Sequence, residues 1–550
     1  MQGQGQRGLI SRWRHHLTLG GMNHLADWRL FWLTRQVATQ ARPKPDCPTV
    51  AFFNASSRLS GMSLNAAFTL LTACGLQLAG VPVVYFACKA GMSRCVLGTD
   101  RNDYAKPPPC ASCIRQSKKL FAHALTLDFG YAQNPSLMQA LQGLSLEALS
   151  EMEWEDARIA PCPIPLGRLV LPSLRWALRL HHLPDDEPSR ALFREYLLSA
   201  VHVAVAFSQF LDRVEPSTAV IFNGIMFPEA VARWVAQQKG VRVVTYEVGF
   251  QPFSAFFSDG EATAYPISIP PDFELNSEQN ERLDAYLRQR FQGDFTMAGI
   301  RFWREMRALD EAFNQRAARF RKIVPVFTNV VYDTSQVHAN TVFPHMFAWL
   351  DLVLEVIRAH ADTLFVIRAH PDEMRPGTAK QSRESVAAWI ERNQVSALPN
   401  VIFVPPQEYL SSYELIQRSA FVMVYNSSIG LEAALMGVAV LCGGQARYTQ
   451  YPIVFFPQSR QEYRQMAEEF LRRDSVPIPD EFRRNARRFL YYQLFRASLP
   501  FDAYLEEHTR PGYVRLKPFS WKSLRAENSP TMRVVLEGIL YDQPFLLDET

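Results

Sequence analysis

Residues 421–444, FVMVYNSSIGLEAALMGVAVLCGG, decide the fold class. The apolar run ending at Tyr425 reads as a buried strand, and Asn426, Ser427 and Ser428 follow it with small polar side chains in a row. A helix opens at Ile429–Gly430 and ends near Gly437, and a second apolar run begins at once. Strand, polar loop, helix, glycine turn and strand make up the repeating unit of a parallel sheet, whose crossovers need a dozen or more residues.

The unit recurs upstream. Strands are expected in IVPVFTNV (323–330), TLFVIRAHPDE (363–373) and NVIFVPP (400–406), separated by amphipathic segments at 343–360, 382–393 and 411–420. Residues 321–475 therefore predict a Rossmann-like domain of five strands and four helices. A second such domain is expected over 47–265, framed by TVAFFNAS (49–56) and VPVVYFAC (81–88) at one end and by the strand–helix–strand pattern 218–250 at the other. It includes a Cys-rich loop at 88–113 and a helical insertion over roughly 111–213. Charged helical periodicity makes 266–320 a connector, 476–550 reads as a helical then irregular tail, and 1–46 forms a basic arm. The fold class is thus α/β, with two Rossmann-like domains facing a cleft.

Composition limits the function. The chain has 550 residues, 48% of them hydrophobic and 20% charged, as in an ordinary globular protein. Its net charge is +4, yet 1–46 alone holds seven Lys and Arg against Asp27 and Asp46. The body is electrically balanced, which argues against a nucleic-acid partner. The basic start is not followed by an uninterrupted apolar core, so a cytoplasmic location is expected. The uncharged stretch Leu59–Cys88 is broken by Asn65, Gly75, Gln77, Gly80 and Pro82 and reads as a helix and a buried strand. The arm mixes Trp28, Phe31 and Trp32 with Arg29 and Arg35, a pattern suited to the inner-membrane surface or to packing on the body.

Walker A, H-E-x-x-H and G-x-S-x-G motifs are absent and no G-x-G-x-x-G follows a strand, which lowers phosphate-loop NTPases, dinucleotide oxidoreductases and α/β-hydrolases in rank. Asp185 and Asp186 read as a solvated helix start. Ligands of open parallel sheets bind beyond the carboxyl ends of the strands. Arg368 and His370 leave one such end on the same side and can hold a phosphate through charge-assisted hydrogen bonds. Asn426, Ser427, Ser428 and Gly430 form a second candidate anion site at a helix start. Glu432 is suited to sugar hydroxyls or to capping. On the first domain, Asn54, Ser60 and Asn223 lie in the corresponding loops and are assigned to the acceptor side. Glu247 is a candidate base, or an ion-paired carboxylate.

Cys88, Cys95, Cys110 and Cys113 fall within one loop and its sequel. Four thiolates suit a structural zinc site ahead of an iron–sulfur cluster, with a redox pair or plain packing as alternatives. No cofactor is expected for catalysis itself. The pairs His15–His16 and His181–His182 lack ligand-spaced partners and read as helix-surface positions.

RAHPDE (368–373) followed by NSSIGLEAALMGVAVL (426–441) resembles the nucleotide-sugar half of GT-B glycosyltransferases, specifically the bacterial capsular polysaccharide synthesis family that includes Kdo transferases. VFTNVVYD (326–333) and YEVGFQPF (246–253) are similar to its corresponding segments. The resemblance covers 220–460 well and the first 200 residues in outline. It implies metal-independent transfer of a sugar from a nucleotide-activated donor to a glycan or glycolipid acceptor. Arg368, His370, Ser427, Ser428 and Glu432 would contact the donor, with Asn329 and Asp333 nearby. The family commonly reads Glu-Asp-Gly-Phe where this chain has Glu247, Val248, Gly249 and Phe250, so Glu247 would substitute as base or the mechanism differs. Two other readings remain: a transferase of polyol phosphate from a CDP-activated donor, and a non-catalytic scaffold of the assembly complex.

Overall fold

A computed structural model describes residues 27–55, 61–100, 102–291, 296–297, 300–301, 307–374, 381–510 and 512–549. Two α/β sheets, one mainly and one wholly parallel, organise it. The first domain contains β1 (Val50–Asn54), β2 (Val83–Cys88), β3 (Leu125–Phe129), β4 (Thr218–Phe222), β5 (Arg242–Val248) and β6 (Ser254–Asp259). A two-residue hairpin in the connector forms β7 (Thr296–Met297) and β8 (Ile300–Arg301). The second domain contains β9 (Lys322–Phe327), β10 (Thr363–Arg368), β11 (Val401–Val404), β12 (Val422–Val424) and β13 (Val440–Cys442), in the order β11-β10-β9-β12-β13, all parallel. The tail adds β14 (Leu499–Pro500), β15 (Leu505–Glu507) and β16 (Val514–Leu516).

The five second-domain strands match the sequence reading. The first-domain sheet is larger than expected, with seven strands in the order β14-β6-β5-β4-β1-β2-β3. β3 lies inside the stretch read as helical, and β6 and the tail strand β14 join antiparallel at the opposite edge. The tail is therefore a working part of the first domain. Helix Asp480–Tyr491 packs on the second domain, and the chain then returns. Helix Pro530–Tyr541 buries Met532, Val535, Leu536 and Ile539 in the core formed with Leu64–Leu78.

The strands read as near-continuous apolar runs because both faces of each sheet are covered. On the first domain, helices Leu166–Leu178, Glu187–Val214 and Glu229–Gln238 cover one face; Leu64–Leu78, Pro530–Tyr541 and the helix over 27–40 cover the other. The Asp186 side chain caps Glu187–Val214 by accepting from the Ser189 N–H at 2.9 Å, which accounts for the acidic pair at 185–186. This helix is long and apolar enough to cross a membrane, but 67% of its most apolar window is buried within the protein. The uncharged run Leu59–Cys88 resolves into helix Leu64–Leu78 and β2.

The helix over 27–40 divides its faces. Leu30, Leu33 and Val37 enter the first-domain core, while Trp28, Phe31 and Trp32 are 58%, 53% and 41% exposed. Arg29 donates to Glu506 Oε1 and to the Leu516 carbonyl, and Lys119 pairs with Asp27, which fixes the helix on the body.

Candidate active site

The carboxyl ends of β9, β10, β12 and β13 open into a cleft of about 360 Å³, closed on the other side by Thr263, Ala264 and Pro266, which follow β6. Asn329, Asp333, Arg368, His370, Asn426, Ser427, Ser428 and Glu432 all line it. Residues spread over 104 positions of sequence thus share one site.

The loop after β12 is its best-defined wall. Asn426 Oδ1 accepts from Asn329 Nδ2 at 2.7 Å and from Gln336 Nε2 at 3.4 Å, which joins it to the loop after β9. Ser428 occupies the cap position of helix Ile429–Leu435 with helical backbone angles, and its hydroxyl does not cap. Among the described residues, neither the Ser427 nor the Ser428 hydroxyl has a hydrogen-bond partner. The Ser427 carbonyl accepts from Tyr448 Oη at 2.8 Å. Gly430 permits that approach, because a Cβ there would collide with the Tyr448 hydroxyl.

His370 is half-buried, and its Nδ1 accepts from the Asp372 N–H at 3.1 Å. In the neutral ring the proton therefore sits on Nε2. Arg368 is more deeply placed than the sequence suggested. Its guanidinium donates to the Leu410 carbonyl at 2.5 Å and the Glu408 carbonyl at 3.5 Å, and burial lowers its pKa to about 10. Glu432 likewise differs from expectation. Its carboxylate pairs with Arg290 at 2.6 Å and accepts from Tyr413 Oη at 2.5 Å, so both oxygens are occupied by protein groups.

Sequence reasoning missed Arg447. It follows β13 in the loop GGQAR, a strand-end position like those of His370 and Ser427. Its guanidinium lies 4.5 Å from the Phe250 ring centroid and 4.8 Å from that of Tyr265, and it lines the cleft. Burial presses its pKa down, opposed by Tyr265 and Asp333. Among the described residues no carboxylate reaches ion-pairing distance of it.

Glu247 ends β5 just outside the cleft lining. Its Oε2 accepts from Asn223 Nδ2 at 2.9 Å and its Oε1 from the Val248 N–H at 3.0 Å. Asn223 adopts φ +65°, a region that asparagine tolerates, and its Oδ1 accepts from the Ile225 and Met226 N–H groups. Burial raises the Glu247 pKa to about 7; the two hydrogen bonds oppose this, and Asp333 across the cleft adds to it. Adjacent strand residues point to opposite faces. Val248 packs with the core containing Tyr246, so Glu247 does not stand in the place of a carboxylate at 248. Asn54 ends β1 with its Oδ1 buried and unpartnered, and Ser60 lies outside the described residues.

The four cysteines form no disulfide and line one small pocket. The pair His181–His182 departs from its expected helix-surface role. His182 Nδ1 pairs with Glu384 at 2.5 Å, and its Nε2 meets Nε2 of His345 at 3.2 Å, both across the domain boundary. His345 Nδ1 accepts from the Ala348 N–H, which directs its proton toward His182.

Two Rossmann-like domains, with the strand ends of the second and the segment after β6 of the first bounding one cleft, define a GT-B-like α/β protein. Residues 279–454 match the family described as capsule polysaccharide biosynthesis protein, which bears out the resemblance over that stretch. No curated protein matches the chain. Similar solved structures include two Thermosulfurimonas dismutans KpsC proteins. The β-Kdo 2,4-transferase has 12% identity and a TM-score of 0.33 over 52% of this chain and 80% of that one; the β-Kdo 2,7-transferase has 14% and 0.31 over 56% and 85%. A UDP-GlcNAc 2-epimerase from Neisseria meningitidis has 13% identity and a TM-score of 0.25 over 80% of this chain and 98% of that one.

Substituting Gly430→Ala should push Tyr448 off the Ser427 carbonyl, costing about 1–3 kcal/mol of stability and distorting the serine loop. Denaturant unfolding checks the first effect and ligand titration the second. A carboxyl whose folded pKa is raised makes the native state less stable as pH rises from about 4.5 through about 7. Glu247→Gln removes that loss, so its melting temperature should gain on wild type between pH 5 and pH 8. An equal difference at both values would remove the assigned pKa.

Proposed function

We propose that the protein transfers a sugar from a nucleotide-activated donor to a growing bacterial surface polysaccharide. The observation carrying this reading is the cleft, where His370, the unpartnered Ser427 and Ser428 hydroxyls and Arg447, which no described carboxylate ion-pairs, converge beyond the strand ends of the second domain. Such a set accepts a phosphate diester or diphosphate better than a neutral ligand. The capsule polysaccharide match over the same residues supports the substrate class.

In this reading the donor phosphate lies against Ser427, Ser428 and Arg447, with the His370 Nε2–H toward a phosphate oxygen. As the acceptor oxygen bonds to the anomeric carbon, the bond from that carbon to the nucleotide phosphate breaks, and negative charge grows on the leaving group. Donors already in place stabilise that charge without reorganising. The acceptor hydroxyl gives its proton to Glu247, whose pKa of about 7 suits a base at neutral pH. Asn223 is then a positioning residue, and Arg368 acts by holding the 408–410 loop. The transfer is proposed to be metal-independent, with cationic side chains in the role a divalent ion would fill.

Thermal-shift titration with CMP, CDP, UDP and GDP tests the site. One nucleotide should raise the melting temperature, by about 2.7 kcal/mol of apparent stability at one hundred times its Kd. Arg447→Ala should weaken that shift at least tenfold in ligand concentration. No shift with any of the four would overturn the reading.

The exposed Trp28, Phe31 and Trp32, with Arg35 one turn on, form a face suited to an anionic lipid interface, where lipid-linked acceptors would be met. The protein should co-sediment with vesicles containing phosphatidylglycerol, and Trp28→Ala/Trp32→Ala should reduce this severalfold. Equal sedimentation of the two proteins would exclude this face.

A further inference from the structure

The four-cysteine pocket is independent of the cleft, and the transfer chemistry does not use it. Cys88 closes β2, Cys95 lies in the following loop, and Cys110 and Cys113 occupy the first turn of helix Cys110–Leu120. Chain segments separated by up to 25 positions thus bring four thiols to one pocket of about 30 Å³, whose other walls include Ala55, Met92, Leu97 and Ile114. None of the four is in a disulfide.

The backbone is built around the sulfurs. The Gly91 N–H donates to Cys88 Sγ at 3.1 Å. A side chain at Gly91 would collide with the Phe129 ring, and a Cβ on Gly98 would lie 2.9 Å from Cys95 Sγ. Pro107, Pro108 and Pro109 stiffen the approach to Cys110.

Spacing discriminates between metals. A single zinc with Zn–S bonds of about 2.3 Å draws its four sulfurs to about 3.8 Å from one another. Among the described residues the one group of three or more ligand atoms within 4.8 Å of each other is His181, His182 and His345. No three of the four sulfurs therefore lie within 4.8 Å of one another, wider than one zinc requires. An iron–sulfur cluster, which spreads its thiolates over two or four irons, fits the wider spacing. The histidine group is satisfied otherwise, by the hydrogen bonds from His345 to His182 and from His182 to Glu384.

We propose that Cys88, Cys95, Cys110 and Cys113 ligate an iron–sulfur cluster, each thiol releasing its proton to solvent as its sulfur bonds iron. This reverses the preference for zinc drawn from spacing alone. Ala87 is in register with Asn54, so the site sits at the carboxyl edge of the sheet, next to the end of β1. The cluster would clamp the 88–109 loop and helix Cys110–Leu120 to the acceptor side of the first domain.

The full chain, purified without oxygen and reconstituted with ferrous iron and sulfide, should hold iron and acid-labile sulfide in equal amounts, about two or about four of each per chain. The count distinguishes the two cluster types. Visible absorption should accompany it. Cys110→Ser/Cys113→Ser should lose both elements, while Cys162→Ser, at an exposed thiol outside the pocket, should keep them. One zinc per chain without iron, or no metal after reconstitution, would overturn the proposal. Measurement on the unsubstituted chain keeps the test decisive if the double variant fails to fold, and nucleotide thermal shifts, which do not involve these cysteines, would be unaffected by either outcome.

Discussion

Parallel pairing constrains where this protein can place chemistry. A strand with neighbours on both sides and helices on both faces exposes no side chain along its length, so polar groups appear where strands end. In the second domain four consecutive strand ends supply Asn329, His370, Ser427 and Arg447 to one cleft. In the first domain Asn54, Asn223 and Glu247 occupy the equivalent ends of β1, β4 and β5. Specific contacts then refine this common placement. The Asn329–Asn426 bond sets the distance between two loops, and Tyr448 holds a third element against them.

The sequence discloses this pattern unevenly, for physical reasons. Strands β9 to β13 are legible because burial on both faces leaves apolar runs bounded by glycine and small polar residues. β3 is not, because Leu125–Phe129 is an edge strand with only Phe129 fully buried. β14 has two residues, and its pairing with β6 spans more than two hundred positions, which no local pattern reports. The site shows the same division. His370 and the serines are recognisable from their own strand ends. The engagement of Glu432 by Arg290, 142 residues away, and of Arg368 by the 408–410 carbonyls is invisible before folding. Arg447 carried the same positional cue as His370, in a loop after a buried strand, but stood behind a Gly-Gly pair that reads as a simple turn.

Several contacts between the domains are polar, beside an apolar one in which Phe256, Ala262, Ile267 and Ile269 join the second-domain core. His182, Glu384 and His345 form one set, Thr263 and His338 a second at 3.0 Å, and Gln450 and Tyr451 bond the main chain at 265–269 in a third. Polar interfaces of this kind resemble transient protein–protein contacts, for which relative motion is the ordinary expectation.

The returning tail bears on how the chain reaches this state. About two thirds of one first-domain core comes from residues 30–257, and about a third from the tail, including Leu499, Phe501, Met532, Val535 and Leu536. During synthesis the second domain, whose strands are contiguous in sequence, is complete while Leu64–Leu78 still lacks the helix that covers it. The domain made first is therefore finished last, and until residues 499–541 arrive its apolar helix face is a surface for chaperones to shield.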